Sequence, residues 1–165
     1  MPRNAAALII GNEILSGKIV DTNTTFLARM LFELGIELRR VVVCPDEVET
    51  NAKDLSALRS AHDLVFTSGG VGPTHDDVTI EGVAASFARP VVRSEAVEKM
   101  IRQYYGDRAT EAHFRMANMP EGAEMIRSSK APWPTVVIDN VFVLPGVPEI
   151  FELKLVDLRK RLDQG

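Results

Sequence analysis

The sequence predicts an α/β protein with a mainly parallel sheet covered by helices. Three observations lead there. Strand-like stretches at residues 5–10, 36–44 and 63–67 alternate with helix-patterned stretches after Asp21, over Val48–Ala61, and from Ile80 to Phe87. Such strand–helix alternation is the pattern of βα units. The first run is also apolar throughout, as a strand buried on both faces requires. Finally, each run ends in a polar loop, and parallel sheets bind ligands outside the carboxyl ends of their strands.

The elements follow in order. Residues 5–10 form the first strand, ended by Gly11, and residues 11–17 (Gly-Asn-Glu-Ile-Leu-Ser-Gly) read as a loop with a polar pair between glycines. Asp21, Thr22, Asn23 and Thr24 are N-cap residue types. Phe26, Leu27, Met30, Leu31 and Leu34 then recur at helical spacing, and Gly35 suits the left-handed position past a helix end. Residues 36–44 form the second strand, stopped by Pro45, and Val48–Ala61 is a helix with Ala52, Leu55 and Leu58 on one face. Residues 63–67 form the third strand. It feeds residues 68–79 (Ser-Gly-Gly-Val-Gly-Pro-Thr-His-Asp-Asp-Val-Thr) and then a helix from Ile80 to Phe87. The loops at 11–17, 45–47 and 68–79 are therefore expected on one edge of the sheet.

In the second half, residues 89–92 read as a short strand, 95–105 and 110–118 as helices, and 119–122 as a turn. Residues 123–126 read as a short strand and 128–134, with two prolines around Trp133, as a surface loop. Thr135–Ile138 and Val141–Leu144 flank Asp139-Asn140, a β-hairpin signal because Asx residues tolerate left-handed backbone. Pro145-Gly146-Val147-Pro148 leads into a last helix ending near Leu162. Without repeats or linkers, residues 1–165 are expected to form a single domain, within the usual size of about 100–200 residues.

Composition narrows the partners. A net charge of −4 gives nucleic acid no electrostatic support, and Arg39-Arg40 and Arg159-Lys160-Arg161 read as solvated faces. The single cysteine, Cys44, cannot form an internal disulfide. It reads as a buried structural thiol in a reducing, cytoplasmic setting. No apolar stretch nears the roughly 18 residues of a membrane span and the N-terminus lacks a signal-peptide pattern, so no membrane partner is expected.

The chemistry concentrates in residues 68–79. Gly69, Gly70 and Gly72 let backbone N–H groups approach a phosphate, and the following helix adds its positive dipole end. Asp76 and Asp77 would repel a bare phosphate, which points to a divalent metal or to hydrogen bonds with a polar ring. A capped turn using Thr74, Asp76 or Asp77 is worth about 1 kcal/mol and accounts for one aspartate, but not for two with three glycines. Elsewhere the plain readings hold their ground. Asp46 and Glu47 alone read as acids at a helix start, and Asp21 and Asn23 as caps. His75 has the titration range of a proton shuttle but reads as a surface-loop residue; His62 and His113 read as structural. No His/Cys spacing suits zinc.

The stretch 68–79 resembles the signature loop of the molybdopterin-binding domain. That domain occurs in MogA and MoaB, in the N-terminal half of competence/damage-inducible protein A (CinA), and in the N-terminal part of eukaryotic FAD synthase. The Pro73-Thr-His-Asp-Asp77 ending resembles the last two more than the first. Three further stretches agree in order and spacing: residues 11–17 with Asp21-Thr-Asn23, Pro45-Asp-Glu47, and Leu144-Pro-Gly-Val-Pro148. The resemblance implies a three-layer α/β/α fold with a C-terminal hairpin and helix, and a homo-oligomer, dimer or trimer. It implies catalytic roles for Asp77 and Asp46, and a metal set of Asp46, Asp76 and Asp77. It further implies ligand contacts from Gly11, Asn12, Glu13, Ser68, Gly69, Gly70, Gly72, Thr74, Gly146 and Pro148. The chain departs from the family at Asn12, commonly aspartate; at Val71, threonine in the adenylyl-transferring branch; and at His113-Phe-Arg-Met-Ala117, where CinA tends to Asn-Arg-Lys-Gln-Ala. The deamidase domain of CinA and the adenylyl-transferring domain of FAD synthase have no counterpart in these residues, so neither activity is expected.

Taken together, the resemblance and the loop imply a domain that binds a nucleotide or phosphorylated pterin. The activity implied is hydrolysis of a pyrophosphate bond, in a substrate like ADP-ribose or FAD, with magnesium, manganese or cobalt. The alternatives are a molybdenum-cofactor protein that binds or adenylylates molybdopterin, and a non-catalytic oligomeric scaffold.

Overall fold

The computed structural model describes residues 3–128, 130–131 and 133–163. The first half becomes β1 (Asn4–Ile10), α1 (Asn12–Leu15), α2 (Asn23–Glu33), β2 (Glu37–Cys44), α3 (Val48–Ala61), β3 (Leu64–Ser68) and α4 (Thr79–Ser86). The second half adds β4 (Val91–Arg93), α5 (Glu95–Tyr105), α6 (Glu111–Phe114), β5 (Asn118–Pro120), β6 (Glu124–Ile126), β7 (Thr135–Ile138), β8 (Val141–Leu144) and α7 (Pro148–Asp163).

Six strands form one sheet in the order β2-β1-β3-β8-β7-β6. The pairings β1–β2, β1–β3 and β3–β8 are parallel; β7 and β6 complete the sheet antiparallel. The tight Asp139-Asn140 turn makes the β7–β8 hairpin, with Asp139 at φ 53° in the left-handed region that Asx residues tolerate. Both sheet faces are covered, which explains why β1 is apolar throughout. Ala5, Ala7 and Ile9 face a core with Leu27 and Leu31 of α2 and Phe151, Leu155 and Leu158 of α7. Ala6, Leu8 and Ile10 face Leu55 and Leu58 of α3 and Val83 of α4. The fold is the three-layer α/β/α arrangement expected, with the hairpin and final helix in place. Within it Phe66 and Phe142, paired across β3 and β8, stack at 5.1 Å between ring centroids. At the end of α2, Gly35 takes φ 72° and the Ile36 N–H reaches back to the Leu31 carbonyl, the glycine C-cap that the sequence predicts.

Three expectations are corrected. The loop at 11–17 contains a helical turn, α1, because the Ile14 and Leu15 amides fold back onto the Gly11 carbonyl. The helix at 110–118 stops at Phe114 and passes through a 3₁₀ turn, Arg115–Ala117. The turn expected at 119–122 begins two residues later, because Asn118–Pro120 pairs antiparallel with Val91–Arg93 in a separate two-stranded sheet. That small sheet, α5 and α6 form a lobe around Val97, Ile101 and Ala117. Among the described residues no helix is long and apolar enough to cross a membrane.

Candidate functional site

β1, β2, β3 and β8 run in one direction, so the loops after them meet at one end of the sheet. The Gly11 N–H donates to the Cys44 carbonyl, and the Gly69 N–H to the Leu144 carbonyl, each at 3.0 Å. These bonds hold the four strand ends side by side. Gly69 sits at φ 102°, and a Cβ there would lie 2.2 Å from the Ile10 carbonyl oxygen, so only glycine fits. Gly70, at φ 73°, leaves room for Thr79, whose hydroxyl donates to the buried Gly69 carbonyl at 2.8 Å. Thr79 thus ties the start of α4 to the glycine loop. Among the described residues, the amides of Gly70, Val71 and Gly72 donate to no acceptor within the chain.

A cleft of about 550 Å³ opens over this loop. Ser68, Gly69, Gly70 and Gly72 form part of its wall, together with Glu13, Asp77, Pro148 and Gly146, which lies directly beside Gly69. Much of the remaining lining is apolar, from Ile14, Ile19, Val20, Ile80, Val147 and Ile150. A second, acidic pocket of about 440 Å³ adjoins it, lined by Asn12, Glu13, Lys18, Asp46, Gly70, Thr74, Asp76 and Asp77. Glu13, Gly70 and Asp77 line both cavities. Every predicted ligand or metal residue except Gly11 thus lines one of the two. Gly11 lies under the Glu13 carboxylate, which a Cβ at position 11 would meet at 2.4 Å.

Local bonds orient the acids. Asp77 Oδ2 accepts from the Thr74 N–H at 2.9 Å and from its hydroxyl at 2.6 Å, so one carboxylate oxygen holds the turn. Asp46 is half-buried. Burial raises its carboxyl above the ordinary range, the Asn12 amide opposes this, and the charges of Glu13, Asp77 and Asp76 add to it. Asp76 is exposed beside the exposed His75, at 3.4 Å. Among the described residues no group of three or more His, Cys, Asp or Glu side chains is arranged to hold a metal ion. Of the expected metal set, Asp46, Asp76 and Asp77 line the acidic pocket, and carboxylate oxygens are the donor type that a magnesium-like ion uses.

Two plain readings of the sequence are corrected here. Asn23 is the first residue of α2 rather than its cap; its buried amide donates to Ser68 Oγ at 2.9 Å and to the Gly146 carbonyl at 3.0 Å, joining the end of β3 to the loop after β8. Asp21, one residue before the N-cap Thr22, supports the helix start by accepting from the Thr24 N–H at 3.2 Å. The stretch 128–134 is more than a surface loop. Trp133 and Pro134 line the cleft and Ala131 is buried, while Ser129 and Pro132 lie outside the described residues. His62, bonded to the Leu58 carbonyl, and His113, which accepts from the Thr110 N–H, hold local structure. Burial, with Asp54, Asp46 and Glu47 nearby, pushes the Cys44 thiol up to about 12, so it stays an unreactive core group.

Sequence reasoning passed over Lys154, which is only 5% exposed yet lines the cleft. Its Nζ donates to the Trp133 carbonyl at 2.6 Å and the Pro134 carbonyl at 3.2 Å. Burial pulls its ammonium down to about 8, against the opposing charge of Asp157. A signal existed: Lys154 sits in the apolar stripe Phe151, Leu155, Leu158, Leu162 of α7. Arg115, Met116 and Asn118 also reach the cleft from the small lobe.

A helix-covered parallel sheet with a cleft across the carboxyl ends of its strands defines a ligand-binding α/β protein. Residues 6–162 match the family described as "probable molybdopterin binding domain", and the chain belongs to that family. It is 34% identical over 182 residues to a protein named probable FAD synthase in Caenorhabditis elegans, covering 97% of this chain and 35% of that one. It is 36% identical over 155 residues to a CinA-like protein of Myxococcus xanthus, covering 90% and 37%. The chain thus spans about a third of the length of these two relatives. The crystal structure of CinA from Thermoplasma acidophilum, described as of unknown function, is similar at TM-score 0.90 and 32% identity, over 98% of each chain. MoaB from Pyrococcus furiosus shares the fold at TM-score 0.62 and 21% identity, over 99% and 94%.

Proposed function

We propose that this protein binds a nucleotide-like molecule and hydrolyses its pyrophosphate bond, with ADP-ribose or FAD as the substrate type. The observation that carries this reading is the set of amides at Gly70, Val71 and Gly72, residues of the cleft wall that have no acceptor among the described residues. Such amides, in a loop tied to the start of α4 through the Thr79 N–H and the Gly70 carbonyl, suit phosphate oxygens. The apolar lining of the cleft suits a flat ring, and the acidic pocket shares Glu13, Gly70 and Asp77 with it. Relatives named FAD synthase and CinA-like support a nucleotide over a simpler anion.

In this reading the glycine amides hold the diphosphate and neutralise charge that builds on its oxygens. Water adds at one phosphorus, the bridging P–O bond breaks, and the two products leave as monophosphates. Asp77 faces that end with one oxygen fixed by Thr74, placed to orient the water or take its proton. Asp46 and Asp77 would hold a magnesium, manganese or cobalt ion, whose chemistry when bound is to polarise phosphorus and acidify water. A homo-oligomer belongs to the same reading, supported by exposed apolar side chains such as Phe32 on α2 and Val156 on α7.

The family's description favours one second reading, a phosphorylated pterin bound in the same cleft without hydrolysis, or adenylylated there. A panel of ADP-ribose, FAD and other dinucleotides, each with magnesium, manganese or cobalt, separates the two. Mononucleotide release supports hydrolysis. Tight pterin binding with no release from any pair supports the second reading.

A further inference from the structure

Trp133 is the chain's single tryptophan, and it occupies two environments at once. It packs on the small lobe, near-parallel to Tyr105 at 6.5 Å and edge-on to Tyr104 at 5.7 Å between ring centroids. It also lines the cleft over the glycine loop. Its place depends on an unusual anchor. Lys154, in the buried stripe of α7, gives its Nζ to the Trp133 and Pro134 carbonyls. Burying a lysine head costs free energy unless it is hydrogen-bonded, and an aliphatic residue would fit that stripe without the cost. The two carbonyl bonds account for its presence only as a fastening between α7 and the Trp133 segment.

We propose that Trp133 is the ring-recognising wall of the cleft, stacking on the flat heteroaromatic ring of the ligand, and that Lys154 is the positioning residue that holds it there. This rests on the reading that the cleft takes a ring-bearing phosphorylated ligand. It assigns the ends: ring at Trp133, phosphates at Gly70 to Gly72, reacting anhydride toward Asp77. The small lobe then has a function, because Tyr104 and Tyr105 back the tryptophan and fix its plane.

The test compares a ligand with a ring and one without, using ADP-ribose and ribose 5-phosphate, by calorimetry and by emission from Trp133. For the wild-type protein, ADP-ribose should change the tryptophan emission saturably and ribose 5-phosphate should not. Trp133→Leu and Lys154→Met should each weaken ADP-ribose about tenfold, the order of one lost base–aromatic stack, and leave ribose 5-phosphate within about twofold. Equal weakening of both ligands makes Lys154 a phosphate or structural group and overturns the proposal. Unaltered ADP-ribose binding in Trp133→Leu overturns it as well, and this variant decides alone if Lys154→Met does not fold by circular dichroism. Failure of the wild-type protein to bind ADP-ribose, FAD or a phosphorylated pterin overturns the underlying reading together with this one.

Discussion

The backbone N–H of Asn12 donates to Asp46 Oδ2 at 3.1 Å, and the N–H of Asp46 donates back to Asn12 Oδ1 at 3.1 Å. This reciprocal pair joins the loop after β1 to the loop after β2 and sets one wall of the acidic pocket. It also gives the Asn12 amide oxygen a donor in the neighbouring loop. An aspartate at 12 can keep accepting the Asp46 N–H, but it adds charge beside a carboxyl already raised by burial and by Glu13, Asp77 and Asp76. Asn12→Asp should therefore fold normally and move the Asp46 titration further up, as read by carboxylate NMR without divalent ions. An unmoved Asp46 titration would contradict the pairing.

Asp77 has two duties that a substitution can separate. An asparagine keeps an acceptor for the Thr74 N–H and hydroxyl, so the turn survives, while the charge is lost. Asp77→Asn should keep the melting temperature and lose at least about a hundredfold in turnover, the usual scale for a positioned acid–base group. Calorimetry and a product assay on the same preparation check both parts.

Asn23 is a stability element of the cleft. Replacing it with leucine removes the donor to Ser68 Oγ and leaves the Gly146 carbonyl without that partner. Stability should fall by ~1–3 kcal/mol, the cost of stranding a buried polar group. Urea denaturation measures this, and an unchanged midpoint would show that the bridge is dispensable.

Lys154 makes stability depend on pH with a definite sign. Its folded pKa of about 8 lies below the unfolded 10.5, so between those values the unfolded chain binds more protons. The contribution of Lys154 to stability should then rise from pH 8 to about 10.5, being lowest below 8, where the buried charge is fully present. The stability difference between the wild-type protein and Lys154→Met should shift toward the wild type across that window. A constant difference would contradict a charged, buried Lys154.

Much of this was legible in the sequence for particular reasons. The strands β1 and β3 are built on the apolar runs at residues 5–10 and 64–66, and Gly35 and Asp139-Asn140 sit where their backbone geometry demands them. The loops that meet at the cleft follow from parallel strands, whatever their side chains do. The small lobe was harder, because β4 and β5 are three residues each and pair only with each other, leaving no periodicity to detect. Asn23 and Lys154 escaped for a different reason. An asparagine at a helix start has the residue type of a cap, and its partners lie 45 and 123 residues away. Lysine on an amphipathic helix is ordinarily solvated, so only its position inside the apolar stripe of α7 marks it.

The central claim is that the cleft breaks a pyrophosphate bond between the glycine loop and the acidic pocket. Its most direct test is the release of AMP and ribose 5-phosphate from ADP-ribose, with magnesium, manganese or cobalt, by the wild-type protein and Asp77→Asn side by side. The account predicts equal amounts of both products from the wild-type protein and none above background from the variant. No release by the wild type with any of the three metals, or equal release by the variant, would contradict it.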